Sequence, residues 1–419
     1  DILADGSIEQ TLRDLAASSH PGKVTIIAHS NGGLIAKALV NRLGGEASDL
    51  IDQIILVAVP QVGTPKVVGA VLHGYDISVP FRFSDARARD FLNNAPFIYH
   101  LLPHPDYYNN VGSTIETNIV SFKSGEATQL FIDAYGQEID TTDELYRFIR
   151  GKEGRDAPAY KNLKNPAIGN DHLLSQALLY LDNIGSTWQP PEGITVHQIA
   201  GIGEDTLASI TYRTVRKCVL HILSIAPWCL EYEPRLSYTP NEVIDGDGTV
   251  VVPSALAMST STEQVKRWWV DLNDYHAKHP LEIAPFAKDH KNILEIDELR
   301  RLVLDNLVGK TPEGISGYDF ISTSTPSIAS KRRLRFLLHS PLLLSAEDNE
   351  GNQINEATFA IPGASYKRYG ETQVITVPAE GSPTLKLKGL EDGTFTLEIE
   401  EYENKVCASC GSCSGPCRP

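Results

Sequence analysis

Positive charge is scarce in this 419-residue sequence: 37 Lys and Arg stand against 53 Asp and Glu, a formal net charge of −16. Binding a phosphate backbone needs a basic footprint, so no nucleic-acid partner is expected. Long apolar runs are missing too. The longest candidate, Val219–Leu230, is interrupted by His221, Ser224 and Pro227 and falls short of the ~18 residues that suggest a membrane-crossing helix. No integral membrane segment is expected. Cysteine is limited to six residues, of which Cys218 and Cys229 lie mid-chain and the other four crowd Cys407–Cys417. The mid-chain two, eleven apart, form either one disulfide or two buried thiols. What remains, 42% hydrophobic and 21% charged, is the make-up of an ordinary globular chain, long enough for more than one domain.

The first part of the chain alternates between two periodicities. Ser7–Ala17 has helical spacing, with Ser7 as N-cap and Gln10 three residues on. Lys23–Ala28 is a short β-branched run of the kind found in buried parallel strands. Gly33–Leu43 is helical again, and Ile54–Val59 reads as a second buried strand. That rhythm predicts a mostly parallel sheet covered by helices. It breaks over residues 66–193, which hold a Pro- and aromatic-rich stretch at Asn94–Tyr108 and read as a cap insertion, and resumes at Ile194–Gly201 and Arg267–Leu272. Glu295–Leu307 is an amphipathic helix that would close this first unit, residues 1–312. Over 317–405, short alternating runs separated by Gly- and Pro-rich turns predict a small all-β domain, and 406–419 is a Cys-rich tail.

The chemistry concentrates in Ala28-His29-Ser30-Asn31-Gly32-Gly33. A buried strand runs into this turn and a helix leaves it, which is the setting of a nucleophile elbow with Ala28 where the first glycine usually stands. Small neighbours are needed because the turn is strained. The helix N-terminus beside the hydroxyl favours a developing oxyanion, and Asn31 N–H is one candidate donor to it. A nucleophilic serine requires a base and an orienting carboxylate, in the chain order Ser, Asp or Glu, His. Asp245 and Asp247 of Asp245-Gly246-Asp247-Gly248-Thr249-Val250 are the candidate carboxylates. His276, His279 and His290 follow the last strand, and His290, just ahead of the closing helix, is the best placed.

Four motifs in order, Ala-His-Ser-Asn-Gly-Gly, Pro60-Gln61-Val62-Gly63-Thr64-Pro65, Gly246-Asp247-Gly248-Thr249-Val250 and His290-Lys291-Asn292-Ile293-Leu294, resemble the α/β-hydrolase lipases of the lecithin–cholesterol acyltransferase-like group. Asn94–Pro103 is similar to a segment of bacterial members. The resemblance covers about Asp1–Gly309 and implies a triad of Ser30, Asp247 and His290 acting on carboxylic esters, often lipids, without a cofactor or metal. It favours Asp247 over Asp245 because Thr249-Val250 follow it. An acyltransferase using the same triad, or an inactive scaffold kept as a surface or binding protein, are the rival readings. Phe97 and Tyr99, with Phe91, Tyr107 and Tyr108, either line an acyl pocket or pack the insertion's own core.

The resemblance also implies strands ahead of the elbow strand and a second oxyanion donor in the loop after one of them. With 22 residues before Lys23, a missing N-terminal segment is expected to supply that donor. The late β module loosely resembles accessory domains of bacterial surface and secreted proteins, so a secreted or cell-surface location is expected. Cys407, Cys410, Cys413 and Cys417 match an iron–sulfur ligand run in spacing. Lacking a second cysteine set or an apolar shell, they read as a tail.

Overall fold

The computed structural model describes residues 3–75, 84–111, 118–181, 183–221, 229–259, 263–279, 282, 287–307, 318–327, 332–339, 342–370, 372–379, 382–389 and 395–403. The tail cysteines Cys407–Cys417 and the side chains of Cys218 and Cys229 lie outside this description.

Helix α1 (Ser7–Ser18) leads into strand β1 (Val24–His29), helix α2 (Gly32–Leu43) and strand β2 (Ile51–Val57). Ser7 is not the N-cap of α1. Gly6, at φ 71°, takes that position, and the Asp5 carboxylate accepts from Ser7 N at 3.0 Å and Ser7 Oγ at 2.7 Å. Strand β2 is apolar from Ile54 to Val57 and fully buried there, because helices cover both faces of a parallel sheet. In the insertion, β3 (Val120–Phe122) and β4 (Glu138–Ile139) are short strands set among helices. β5 (Thr195–Ile202) returns to the first sheet, followed by a long hairpin of β6 (Thr206–His221) and β7 (Cys229–Val243), then β8 (Val265–Asp271) and β9 (Ile321–Ser322).

These strands form two sheets. The first has the order β1-β2-β5-β8-β9, parallel as far as β8, with β9 antiparallel. β1 is therefore an edge strand, and Ile27 on it is 44% exposed. The second has the order β4-β3-β6-β7. The β6–β7 hairpin is absent from the sequence reading, and it extends the insertion's sheet well beyond residues 66–193. Its register is pinned by 14 paired positions from Thr206↔Val243 to His221↔Cys229. β9 likewise draws residues read as part of the late module into the first sheet.

The late region is a sandwich of two antiparallel sheets. One contains β10 (Arg332–His339), β13 (Ser365–Tyr369), β14 (Thr372–Pro378) and β16 (Thr396–Glu403). The other contains β11 (Leu342–Glu347), β12 (Gln353–Ile354) and β15 (Thr384–Gly389). Phe336, Leu338, Leu344, Ile354, Ile375 and Val377 fill the space between them. The outer face of the sheet that contains β10 does not stand free. Leu337, Tyr369 and Val374 join the buried cluster of the insertion, and Tyr238 OH donates to Tyr369 O at 2.6 Å. His73 sits beneath them, its ring centroid 4.0 Å from that of Tyr238 and both nitrogens bonded, to Leu163 O and Tyr212 OH. Burial there holds its pKa at about 3, so it is a neutral packing residue.

Candidate active site

Ser30 stands at the end of β1 in the left-handed region, φ 54°. A non-glycine residue there is strained, and such strain is kept only where the surroundings over-determine it. Two contacts do so. Ser30 N donates to Val57 O at 3.0 Å, and Gly33 N donates back to Ser30 O at 3.0 Å. Gly33 has to be glycine, since a methyl group on it would lie 2.3 Å from Val59 Cγ2. The turn is the point where the sheet hands over to α2, and Asn31 occupies the helix N-cap. The first backbone N–H groups of a helix have no acceptor within it, which leaves the Asn31 N–H side of the turn as a donor site next to the Ser30 hydroxyl.

His290 lies 260 residues away, yet its Nε2 is 2.9 Å from Ser30 Oγ. Its Nδ1 is 2.9 Å from Asp247 Oδ2. A carboxylate only accepts, so His290 Nδ1 is the donor, and in the neutral imidazole Nε2 is then the acceptor that faces the serine hydroxyl. The structure thus brings Ser30, His290 and Asp247 into one hydrogen-bonded chain. Asp247 is 1% exposed, and its other oxygen accepts from Thr249 N at 3.0 Å and Val250 N at 2.8 Å. Thr249 and Val250, two and three positions after Asp247, therefore supply the donors that satisfy a buried carboxylate. His290 N donates to Asp247 O at 2.9 Å, which locks the two loops together.

The Pro60–Pro65 motif serves this same loop. Thr64 Oγ1 donates to Thr249 O at 2.6 Å, and Lys66 Nζ to Gly248 O at 3.2 Å. Asp245 takes no part. Burial pushes its carboxyl up to about 6. His276 is paired elsewhere, with Nδ1 2.9 Å from Glu204 Oε1. Burial disfavours its charge, but the Glu204 hydrogen bond and carboxylate outweigh that and raise its pKa. His279 Nδ1 turns back to Tyr275 O at 2.9 Å.

The aromatic candidates separate. Tyr99 is fully buried in the insertion core, where its hydroxyl accepts from Asn170 N at 2.6 Å and donates to Asn93 at 3.2 Å. Tyr107 is also core, whereas Phe97 and Phe91 are 46% and 51% exposed. A cavity of about 660 Å³ opens between Leu130, Phe131, Tyr135, Arg155, Lys164 and Leu236, and Ser30, Asp247 and His290 do not line it.

His29 was not singled out from the sequence. Its Nε2–H donates to His290 O at 2.7 Å, with the two rings 5.0 Å apart. Burial, then the neighbouring imidazole, holds its pKa below the ordinary value, so it stays a neutral donor beside the site. Its place next to Ser30 in the motif was the available signal.

A parallel sheet whose edge strand ends in a strained serine elbow, with Asp and His on later loops, defines an α/β-hydrolase. A sequence model of the lecithin:cholesterol acyltransferase family matches residues 8–295, and the chain belongs to that family. It is 25% identical over 269 residues to a phospholipase A(1), LCAT3, of Arabidopsis thaliana, an alignment covering 61% of this chain and 55% of that protein. The chain spans about half the length of this curated relative. Among solved structures, it is similar to a chain of the Tle4–Tli4 complex, at 16% identity and a TM-score of 0.39 over 63% of this chain and 56% of that one. It is also similar to the Bacillus licheniformis lipase BlEst2 in propeptide form, at 10% identity and a TM-score of 0.31 over 96% and 64%. Among the described residues, no helix is long and apolar enough to cross a membrane.

Proposed function

We propose that the protein is a serine-dependent carboxylic-ester hydrolase acting on lipid esters. Ser30 Oγ attacks the ester carbonyl while His290 Nε2 takes its proton. Asp247 holds the imidazole in the tautomer described above and stabilises the imidazolium. Asn31 N–H is one donor to the oxyanion. His290 then returns the proton to the leaving alcohol, and water repeats the sequence on the acyl-enzyme.

The observation that carries this reading is the chain Ser30 Oγ–His290 Nε2 at 2.9 Å and His290 Nδ1–Asp247 Oδ2 at 2.9 Å, anchored on a serine at φ 54°. Family membership supports an acyl-ester substrate, and the name of the Arabidopsis relative favours a phospholipid. The family name also supports a second reading, transfer of the acyl group to an alcohol instead of water, since both outcomes share the acyl-enzyme.

A fluorophosphonate probe tests the common step. Rapid labelling of the wild type and none of Ser30→Ala is the expected result, and equal labelling of both would defeat the proposal. Phospholipid hydrolysis measured with and without an added alcohol acceptor then separates hydrolase from transferase.

A further inference from the structure

Among the described residues, the C-terminal β sandwich reaches the catalytic loop through the short segment Gly203–Thr206, between β5 and β6. Asp205 in that segment is 5% exposed. Arg333 of β10 grips it with Nη1 3.1 Å from both carboxylate oxygens, and Arg333 Nη2 donates to Gly363 O at 2.8 Å within the sandwich. Lys367 of β13 donates to the Asp205 carbonyl and, at 2.7 Å, to Glu242 Oε1 at the end of β7. Two cations from the sandwich therefore converge on one buried residue of the other unit.

The neighbours of Asp205 hold the neighbours of Asp247. On one side, Glu204 N donates to Gly246 O at 3.0 Å. On the other, Gly248 N donates to Thr206 Oγ1 at 2.8 Å, and that hydroxyl donates to Glu204 O at 2.8 Å. Glu204 and Asp247 form a parallel bridge. Gly246 has to be glycine here, because a methyl group would lie 2.5 Å from Thr206 Oγ1. A shift of Asp205 would move at once the two contacts that hold Gly246 and Gly248, the residues on either side of Asp247.

We infer that Arg333 and Lys367 of the β sandwich are positioning residues for the proposed reaction, fixing Asp247 against His290 through Asp205. The sandwich is thereby part of the machinery of the site and not an independent appendage. This rests on the catalytic reading of Asp247 given above. A buried Asp205 carboxylate deprived of its guanidinium has to rearrange, and displacing a catalytic group by about 1 Å can cost ~10²-fold in rate.

The experiment is a mutant cycle in the full chain, read by hydrolysis of p-nitrophenyl butyrate and by the rate of fluorophosphonate labelling. Arg333→Gln is expected to lower kcat about 10- to 100-fold at unchanged KM, and to lower the labelling rate by less than about 2-fold once Asp247 is Asn. Arg332→Gln, which removes the exposed pair with Glu401, should leave both rates at wild type. Should Arg333→Gln fail to fold by circular dichroism, Arg333→Lys enters the same cycle, keeping the charge but losing the two-oxygen grip. Wild-type kcat in the folded variant, or an equal loss in both backgrounds, would overturn the inference. Labelling of wild type no faster than Ser30→Ala would instead bring down the catalytic reading, and the inference with it.

Discussion

Gly201, near the end of β5, lies so close to Asp247 that a methyl group on it would sit 2.8 Å from Asp247 Cβ. Ile293 Cδ1 and Leu272 Cδ1 would lie 3.0 and 3.2 Å from the same methyl group, so it is crowded on those sides as well. Gly201→Ala should therefore push Asp247 out of line with His290. We expect a fall in kcat of the order of 10²-fold with KM nearly unchanged, measured on a soluble short-chain ester. A mutant with wild-type kcat would mean that the loop adjusts freely.

The three hydrogen-bonded residues should respond as a unit. Ser30→Ala and His290→Ala should each remove nearly all esterase activity. Asp247→Asn should lose ~10⁴-fold, the order seen for the corresponding change in a serine protease. Asp245→Asn should stay within a few-fold of wild type. A crippled Asp245→Asn enzyme would show that Asp245, not Asp247, is the carboxylate the reaction needs.

Asp245 should instead reveal itself in stability. Burial raises its folded-state pKa to about 6, above the ordinary value of 3.8. The unfolded chain thus gives up its proton first as pH rises. The stability tied to the protonated form is complete below about pH 4 and is lost as pH rises through about 6. Asp245→Asn should match the wild type in stability at pH 4 and exceed it at pH 8, by no more than about 3 kcal/mol. Thermal melts at the two pH values decide the matter, and identical curves at pH 8 would refute the burial argument.

The elbow has a packing requirement of its own. A methyl group on Gly33 would lie 2.3 Å from Val59 Cγ2, so Gly33→Ala should destabilise the fold by about 1–3 kcal/mol through overpacking. Adding Val59→Ala should restore part of that loss in urea unfolding, because it empties the space the new methyl group enters. If the double variant is simply the sum of two losses, the contact is not the cause.

Much of the parallel sheet was legible in the residues. Ile54–Val59 and Ile194–Gly201 are largely apolar, rich in β-branched residues and too short for helices, so burial on both faces dictates strands. Lys23–Ala28 is a strand too, but at the sheet's edge, where only Ala28 of β1 is buried. Small residues around Ser30 announced the strained turn, and the order of Ser30, Asp247 and His290 named the candidates. Sequence could not resolve Tyr99 from Phe97, because an aromatic ring has the same local pattern whether it packs a core or faces a cleft. The fold put the first at 0% and the second at 46% exposure.

What only tertiary structure decided are relationships across long separations. The alternation in Thr206–Val243 is local, but its pairing with β3 is not, and it enlarged the insertion's sheet. His29 became a partner of His290 across 261 residues. Arg333 met Asp205 across 128. The residue types of an elbow, a buried strand or a turn are determined by steric and burial rules that act within a few positions of the chain. The choice of which buried carboxylate faces which imidazole, and which distant cation steadies it, depends on how separate layers pack, and periodicity along the chain carries no record of that.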